Sequence, residues 1–186
     1  MRFYFDIEKT LAAAGHVLKV NRGRMNYMNL LKTLYVADRQ AFIKWQRTVT
    51  GDAPESRPNG PVLRKVLELL NGDGGAVQSS WNEFISERDD YTVRLLKAPN
   101  EGCLSERERV VLNEANTRFG TTPFNQLVRA VHNHQHFPEW KHPRPKGHEP
   151  IDFAHVLRSG ANMSDSEIRA VSHELDHLRQ MKSRLA

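Results

Sequence analysis

From Tyr27 to Trp45 the chain places Tyr27, Leu30, Leu31, Leu34, Tyr35, Ala41, Phe42 and Trp45 at three- and four-residue intervals. That spacing puts them on one face of a long helix and requires other elements to pack against it. Asp38 falls on the same face, one turn after Leu34, where a bare carboxylate is costly to bury. It either receives a basic group from a partner or is paired inside the fold, with Arg39, Arg57 or Arg64 as the available cations. Internal pairing is preferred, because buried carboxylates generally find partners within the fold. A second helical pattern follows the polar Thr50-Gly51-Asp52 turn. Gly60 precedes it, Pro61 takes the first helical position, and Leu63, Val66, Leu67 and Leu70 form its inner stripe. Asn71-Gly72 supplies the stop.

The remaining segments read as supports for these two helices. Ile7, Leu11, Ala14 and Leu18 mark an earlier core helix. After a polar loop, the alternation of Tyr91, Val93 and Leu95 within Trp81–Lys97 predicts a short β-hairpin turning at Arg88-Asp89-Asp90. A hairpin alone is marginal, so it must rest on the helices. Ser105 with Glu108 forms a capping box whose helix ends at Gly120. Thr122-Pro123 opens the next helix, with Phe124, Leu127, Val128 and Val131 facing inward. Residues 135–150 carry Pro138, Pro143, Pro145 and Pro150 with Lys141, Arg144 and Lys146, a stiff basic connector. Ile151–Arg158 reads as a short helix, and Ser164 with Glu167 opens a last one running to about Ser183. The expected fold is mainly α, a compact multi-helix domain with a small β-hairpin or sheet at its edge. One domain over residues 1–186 is expected, with its core at about 5–133, the connector at 134–150 and C-terminal helices at 151–184.

Composition narrows the class. With 186 residues, 39% hydrophobic and 26% charged, the chain is of ordinary globular make-up and long enough to bury a core without staples. The single cysteine, Cys103, precludes an internal disulfide, and a cytoplasmic location is expected. The first twenty residues contain acidic groups and no clean apolar run, so neither signal peptide nor membrane span is read there. A net charge of +5 and a pI near 9.5 permit loose attraction to anionic surfaces. The cations are spread along the chain, with no helix-turn-helix, zinc ribbon or basic arm to carry specific reading of DNA.

Two strings suggest metal chemistry. His173-Glu174-Leu175-Asp176-His177 has the HExxH spacing that sets two imidazoles one turn apart, and Glu101-Gly102-Cys103-Leu104-Ser105 accompanies it. Both resemble peptide deformylases, which implies a zinc hydrolase with Cys103, His173 and His177 as ligands and Glu174 as base. The inward stripe of the last helix, Ile168, Val171, Leu175 and Leu178, instead turns His173 and His177 toward solvent. The glycine-rich segment of that family is missing, and Cys103 leads straight into a helix cap. Cys103 is therefore read as a packing residue. His132-Asn133-His134 spells a nuclease motif but ends a helix, without a ββα frame. His132, His134, His136, His142 and His148 read as a flexible, protonatable binding loop. Trp45 and Trp81 belong to patterned elements and are expected in the core. Trp140 either anchors a partner or plugs the connector onto the core.

The order and spacing of five segments resemble the Panacea, or SocA-like, antitoxin domain family. They are LLKTLYVADR at Leu30–Arg39, TGD at Thr50–Asp52, NGPVLRKVLELL at Asn59–Leu70, LSERERVVLNEANTRFG at Leu104–Gly120, and His132–Trp140. The sequence departs from the family at Ala53–Arg57, where an aromatic and apolar stretch is more usual. The resemblance implies a non-enzymatic antitoxin that neutralises a toxin encoded beside it by direct association. It implies no cofactor, metal or small-molecule substrate. Asp38, Arg57, Trp140 and Lys141 are the candidate partner-binding residues. Two alternatives stand beside it: a zinc hydrolase using Cys103, His173, Glu174 and His177, and a phage or mobile-element regulator touching nucleic acid through its basic surface.

Overall fold

The computed structural model describes Met1 and residues 3–144 and 147–185. Pro145 and Lys146, two residues of the expected connector, lie outside the described residues. Helix α1 (Ile7–Val20) starts where the Asp6 side chain accepts the Lys9 N–H at 3.0 Å. Strand β1 (Arg24–Asn26) follows, and Asn26 caps helix α2 (Tyr27–Trp45) by accepting the Met28 N–H at 2.9 Å. Helix α2 has the predicted bounds but not the predicted environment. Every residue from Met28 to Asp38 is buried, because α1, α5, α6, α7 and a β-hairpin, described below, surround it. It is a central helix rather than an amphipathic one with a single inner face.

The second predicted helix begins later than its sequence suggests. Gly60-Pro61 does not start it. Strand β2 (Pro54–Arg57) and strand β3 (Gly60–Leu63) form a hairpin in which Arg57 faces Gly60 and Pro54 faces Leu63. Pro58 and Asn59 make the turn, and Gly60 takes φ +97, open to glycine at little cost. Helix α3 (Arg64–Leu70) starts only where Asp52 accepts the N–H groups of Lys65 and Val66 at 3.0 and 2.9 Å. That cap comes from across the hairpin, so no local pattern announces it. Val66, Leu69 and Leu70 are buried, while Leu67, assigned to the inner stripe, is only half-buried.

The predicted hairpin at Trp81–Lys97 is half right. Trp81 lies in helix α4 (Gln78–Phe84), and strand β4 (Thr92–Arg94) pairs antiparallel with the distant β1. Only the bridges Ile85–Leu95 and Asp89–Thr92 retain the expected return. Helix α5 (Glu106–Phe119) has its capping box, with Glu108 Oε2 accepting the Ser105 N–H at 2.7 Å. Helix α6 (Phe124–Val131) buries Leu127 and Val131, but Phe124 is 47% exposed at its first position. The connector contributes strand β5 (Glu149–Pro150), which extends the hairpin into a sheet of order β3-β2-β5. Helix α7 (Phe153–Gly160) then packs on α2, and α8 (Asp165–Leu185) packs on α7. Ile168, Val171 and Leu175 are buried as the predicted stripe requires. The fold is mainly helical, with two small antiparallel sheets.

The amino terminus is tied in by aromatic packing. Phe3 meets Phe42 of α2 and Phe153 of α7 edge-on at 5.4 Å each. Gly51, at φ +72, lies so close that a Cβ there would stand 1.9 Å from the Tyr4 carbonyl oxygen. Gly51→Ala therefore combines a strained backbone with a clash against main chain. It should cost about 2 kcal/mol or more, read from urea unfolding, and detach the first residues, read from their susceptibility to protease.

Candidate functional site

The buried polar residues of α2 form the most organised constellation in the molecule. Four of them, with the partly buried Arg39, fasten four separate places, since Tyr35 and Arg39 share Glu139. Asn29 Nδ2 donates to the carbonyls of Phe119 and Thr122 at 2.6 and 2.9 Å, fixing the α5–α6 turn. Lys32, with no exposed surface, donates its Nζ to the Pro61 carbonyl at 2.7 Å and holds β3 against the helix. Tyr35 Oη donates to Glu139 Oε1 at 2.7 Å. Arg39 grips the same carboxylate in fork geometry, Nε to Oε1 at 2.6 Å and Nη2 to Oε2 at 3.1 Å. Asp38 accepts the N–H groups of Val49 and Thr50 at 2.8 and 3.0 Å and the Thr50 hydroxyl.

Each bond satisfies a group whose burial would otherwise be costly, and each ties a loop or strand to one rigid element. The LLKTLYVADR string is thus apolar packing interleaved with locks. Lys32, Tyr35, Arg39 and Glu139 were not foreseen as a set. The one available signal was that polar residues stood on more than one side of a helix too apolar to be peripheral.

Asp38 is paired internally as preferred, but not with Arg39, Arg57 or Arg64. Backbone amides and a hydroxyl of the Thr-Gly-Asp turn serve instead, because Arg39 is taken by Glu139 and Arg57 by Glu55. Burial raises the Asp38 carboxyl to about 7, against the pull of its three donors. Asp52 is raised to about 6 by the same cause.

Lys32 moves oppositely. Burial lowers its ammonium from 10.5 to about 7. Between these values the unfolded chain holds a proton that the folded chain has released. Stability therefore rises with pH from about 7 to 10.5, with a slope approaching about 1.4 kcal/mol per unit, and is independent of Lys32 below 7. Lys32→Met should remove this rise. Urea midpoints from pH 7 to 9.5 check it, the wild-type midpoint climbing relative to that of the variant.

Trp140 is 3% exposed and serves as the plug. Its Nε1 donates to the Arg57 carbonyl at 3.2 Å, and the His132 ring stacks on it at 3.9 Å. Desolvation and the neighbouring Lys32 lower the His132 pKa, favouring the neutral ring. His134, His136, His142 and His148 are exposed, and His148 lies 3.5 Å from Glu55. In this conformation Asp38 and Trp140 are closed to a partner. Arg57 is partly open, its Nη2 on Glu55 at 2.9 Å, and Lys141 is exposed with its N–H on Ser56 Oγ at 3.3 Å. Trp81 is in the core as expected, whereas Trp45 is only half-buried, under the Arg107 guanidinium.

The deformylase-like residues stay apart. Cys103 sits in a turn against α1, its Sγ 3.6 Å from the Asn100 carbonyl, and burial raises its thiol pKa. His173 and His177 are exposed on α8, and Glu174 pairs with Arg47. Among the described residues, no three His, Cys, Asp or Glu side chains are grouped to hold a metal.

The fold and its site define an α-rich domain in which one central helix ties the surrounding loops and strands together through internal hydrogen bonds and ion pairs. The sequence model of the family described as "Antitoxin SocA-like, Panacea domain" matches residues 30–141, from the first turn of that helix to the segment Glu139 anchors. The chain belongs to this antitoxin family. No curated protein and no solved structure matches it. No helix among the described residues is long and apolar enough to cross a membrane.

Proposed function

We propose that this protein is the antitoxin of a toxin–antitoxin pair, acting in the cytoplasm by direct association with a toxin encoded beside it. The family match over residues 30–141 carries this reading. The locks of α2 support it in physical terms. They hold the loops around the helix in place before any partner arrives, which lowers the ordering cost of association. Asn29, Lys32, Tyr35, Asp38 and Arg39 are bonded within the fold, so the action is assigned to the outer surface. Such a complex should bury about 1,200–2,000 Å² in total and rest on a few anchors. Arg57 and Lys141, open on the sheet and connector, are the candidate contacts nearest the locked region.

Expression of the adjacent open reading frame alone should arrest growth. Coexpression with this chain should restore growth, and the two products should copurify. Absence of both rescue and copurification would remove the assignment.

A further inference from the structure

A cleft of about 280 Å³ opens between α8, the amino-terminal segment, the Thr-Gly-Asp turn and α5. Five cations line it from four parts of the fold, Lys9, Arg47, Arg107, Arg179 and Lys182, against two carboxylates, Asp6 and Glu108. Three of the five are neutralised locally. Lys9 pairs with Glu108 at 2.6 Å, Lys182 with Asp6 at 3.7 Å, and Arg47 with Glu174 at the rim.

Two are not. Arg107 makes no ion pair among the described residues and lies over the Trp45 ring at 4.9 Å from its centroid. Arg179 also makes none, and its Nε is buried without a hydrogen-bond partner. A buried donor without an acceptor is uncommon in a folded chain and asks for one. The walls between these cations are apolar, from Trp45, Leu175 and Leu178. An open, positively charged cleft with apolar walls suits an anion that also carries hydrocarbon, and guanidinium groups match a carboxylate in particular.

We propose that this cleft receives an acidic-apolar segment of the partner protein. An aspartate or glutamate would sit on Arg107 and Arg179, and an adjacent aromatic or leucine side chain would rest against Trp45 and Leu178. The identity of the partner as a toxin rests on the function proposed above; the chemistry of the cleft does not. Arg179 and Lys182 lie beyond the matched residues 30–141, so the site bears on which partner this chain takes rather than on the shared fold.

The test is an NMR titration of nitrogen-15-labelled protein with acetyl-Glu-Phe-Glu-amide and, in parallel, acetyl-Gln-Phe-Gln-amide. The acidic peptide should shift the Trp45 indole N–H and the Gly51 and Leu175 amides. The neutral peptide should not, and Arg107→Glu should weaken the response at least tenfold. Arg107→Gln, which removes the charge without reversing it, should give an intermediate loss. Arg129→Glu, the same charge change on exposed α6, should leave it intact. No shift, or equal shifts from both peptides, overturns the site.

A second arm uses the product of the adjacent reading frame. If it binds wild-type protein and the Arg107→Glu/Lys182→Glu variant equally, the cleft is not the docking site although the antitoxin reading stands. If the acidic peptide binds and that product does not, the cleft stands and the toxin partner falls.

Discussion

Glu139→Ala should lower the unfolding free energy by about 3–5 kcal/mol. Glu139 has no exposed side-chain surface, and it accepts from Tyr35 and, through both oxygens, from Arg39, itself only 12% exposed. Truncation leaves a nearly buried guanidinium without its counter-charge and a buried phenol without its acceptor. The net worth of the ion pair against an apolar replacement is much smaller, but removing one member leaves the other's desolvation uncompensated. Release of the connector offers no escape, because Phe137 and Trp140 would then be exposed on either side. Glu139→Gln keeps an acceptor for Tyr35 and should lose less. Urea denaturation at fixed pH measures both, and a loss below about 1 kcal/mol for the alanine variant would contradict this account of the lock.

Asp38→Ala should cost a comparable amount, about 3–5 kcal/mol at neutral pH, for a different reason. No cation is stranded here. Two buried main-chain N–H groups, of Val49 and Thr50, lose their acceptor, the Thr50 hydroxyl loses its own, and a cavity opens beside α2. Asp38→Asn retains a carbonyl oxygen for the two amides and should cost much less, separating hydrogen bonding from charge. It also tests the titration. The folded-state carboxyl lies at about 7 against 3.8 for the unfolded chain, so between these values the folded protein holds a proton that the unfolded chain has lost. The Asp38 contribution therefore falls as pH rises from about 4 to 7 and is constant above. The asparagine variant should lose that part of the slope, while the part from Asp52, between 3.8 and about 6, persists. An unchanged slope would show that Asp38 is ionised throughout this range.

The two predictions bracket the segment matched to the family. Asp38 fastens the turn that follows α2, and Arg39 with Tyr35 fastens the connector that closes the segment about a hundred residues later. A helix that holds its surroundings at both ends gives the domain fixed surfaces, which under the proposed function keeps the ordering cost of docking low. The cationic cleft lies on the far side of the same turn, lined in part by Val49 and Gly51. Loss of the Asp38 lock should therefore weaken peptide binding there as well as stability.

Local signals fixed the elements whose reasons are local. The period of Tyr27–Trp45, the Ser105–Glu108 and Ser164–Glu167 capping boxes and the inward stripe of α8 depend on residues within a turn or two of one another, and each appears where its pattern puts it. Patterns that needed a distant partner were read less well. Gly60-Pro61 looks like a helix start until Pro54–Arg57 pairs with it, and Thr92–Arg94 looks like one arm of a local hairpin until Arg24–Asn26 takes that place. The partners of Lys32, Glu139 and Asp52 were not legible locally, since a charged residue in an apolar string is equally consistent with exposure and with a partner that only the fold can supply. The sequence by itself determined the helical class, the extent of the Tyr27–Trp45 helix and the family. The tertiary structure alone decided which polar groups meet, because a buried hydrogen bond joins atoms that are remote along the chain and its energy exists only once both have left water.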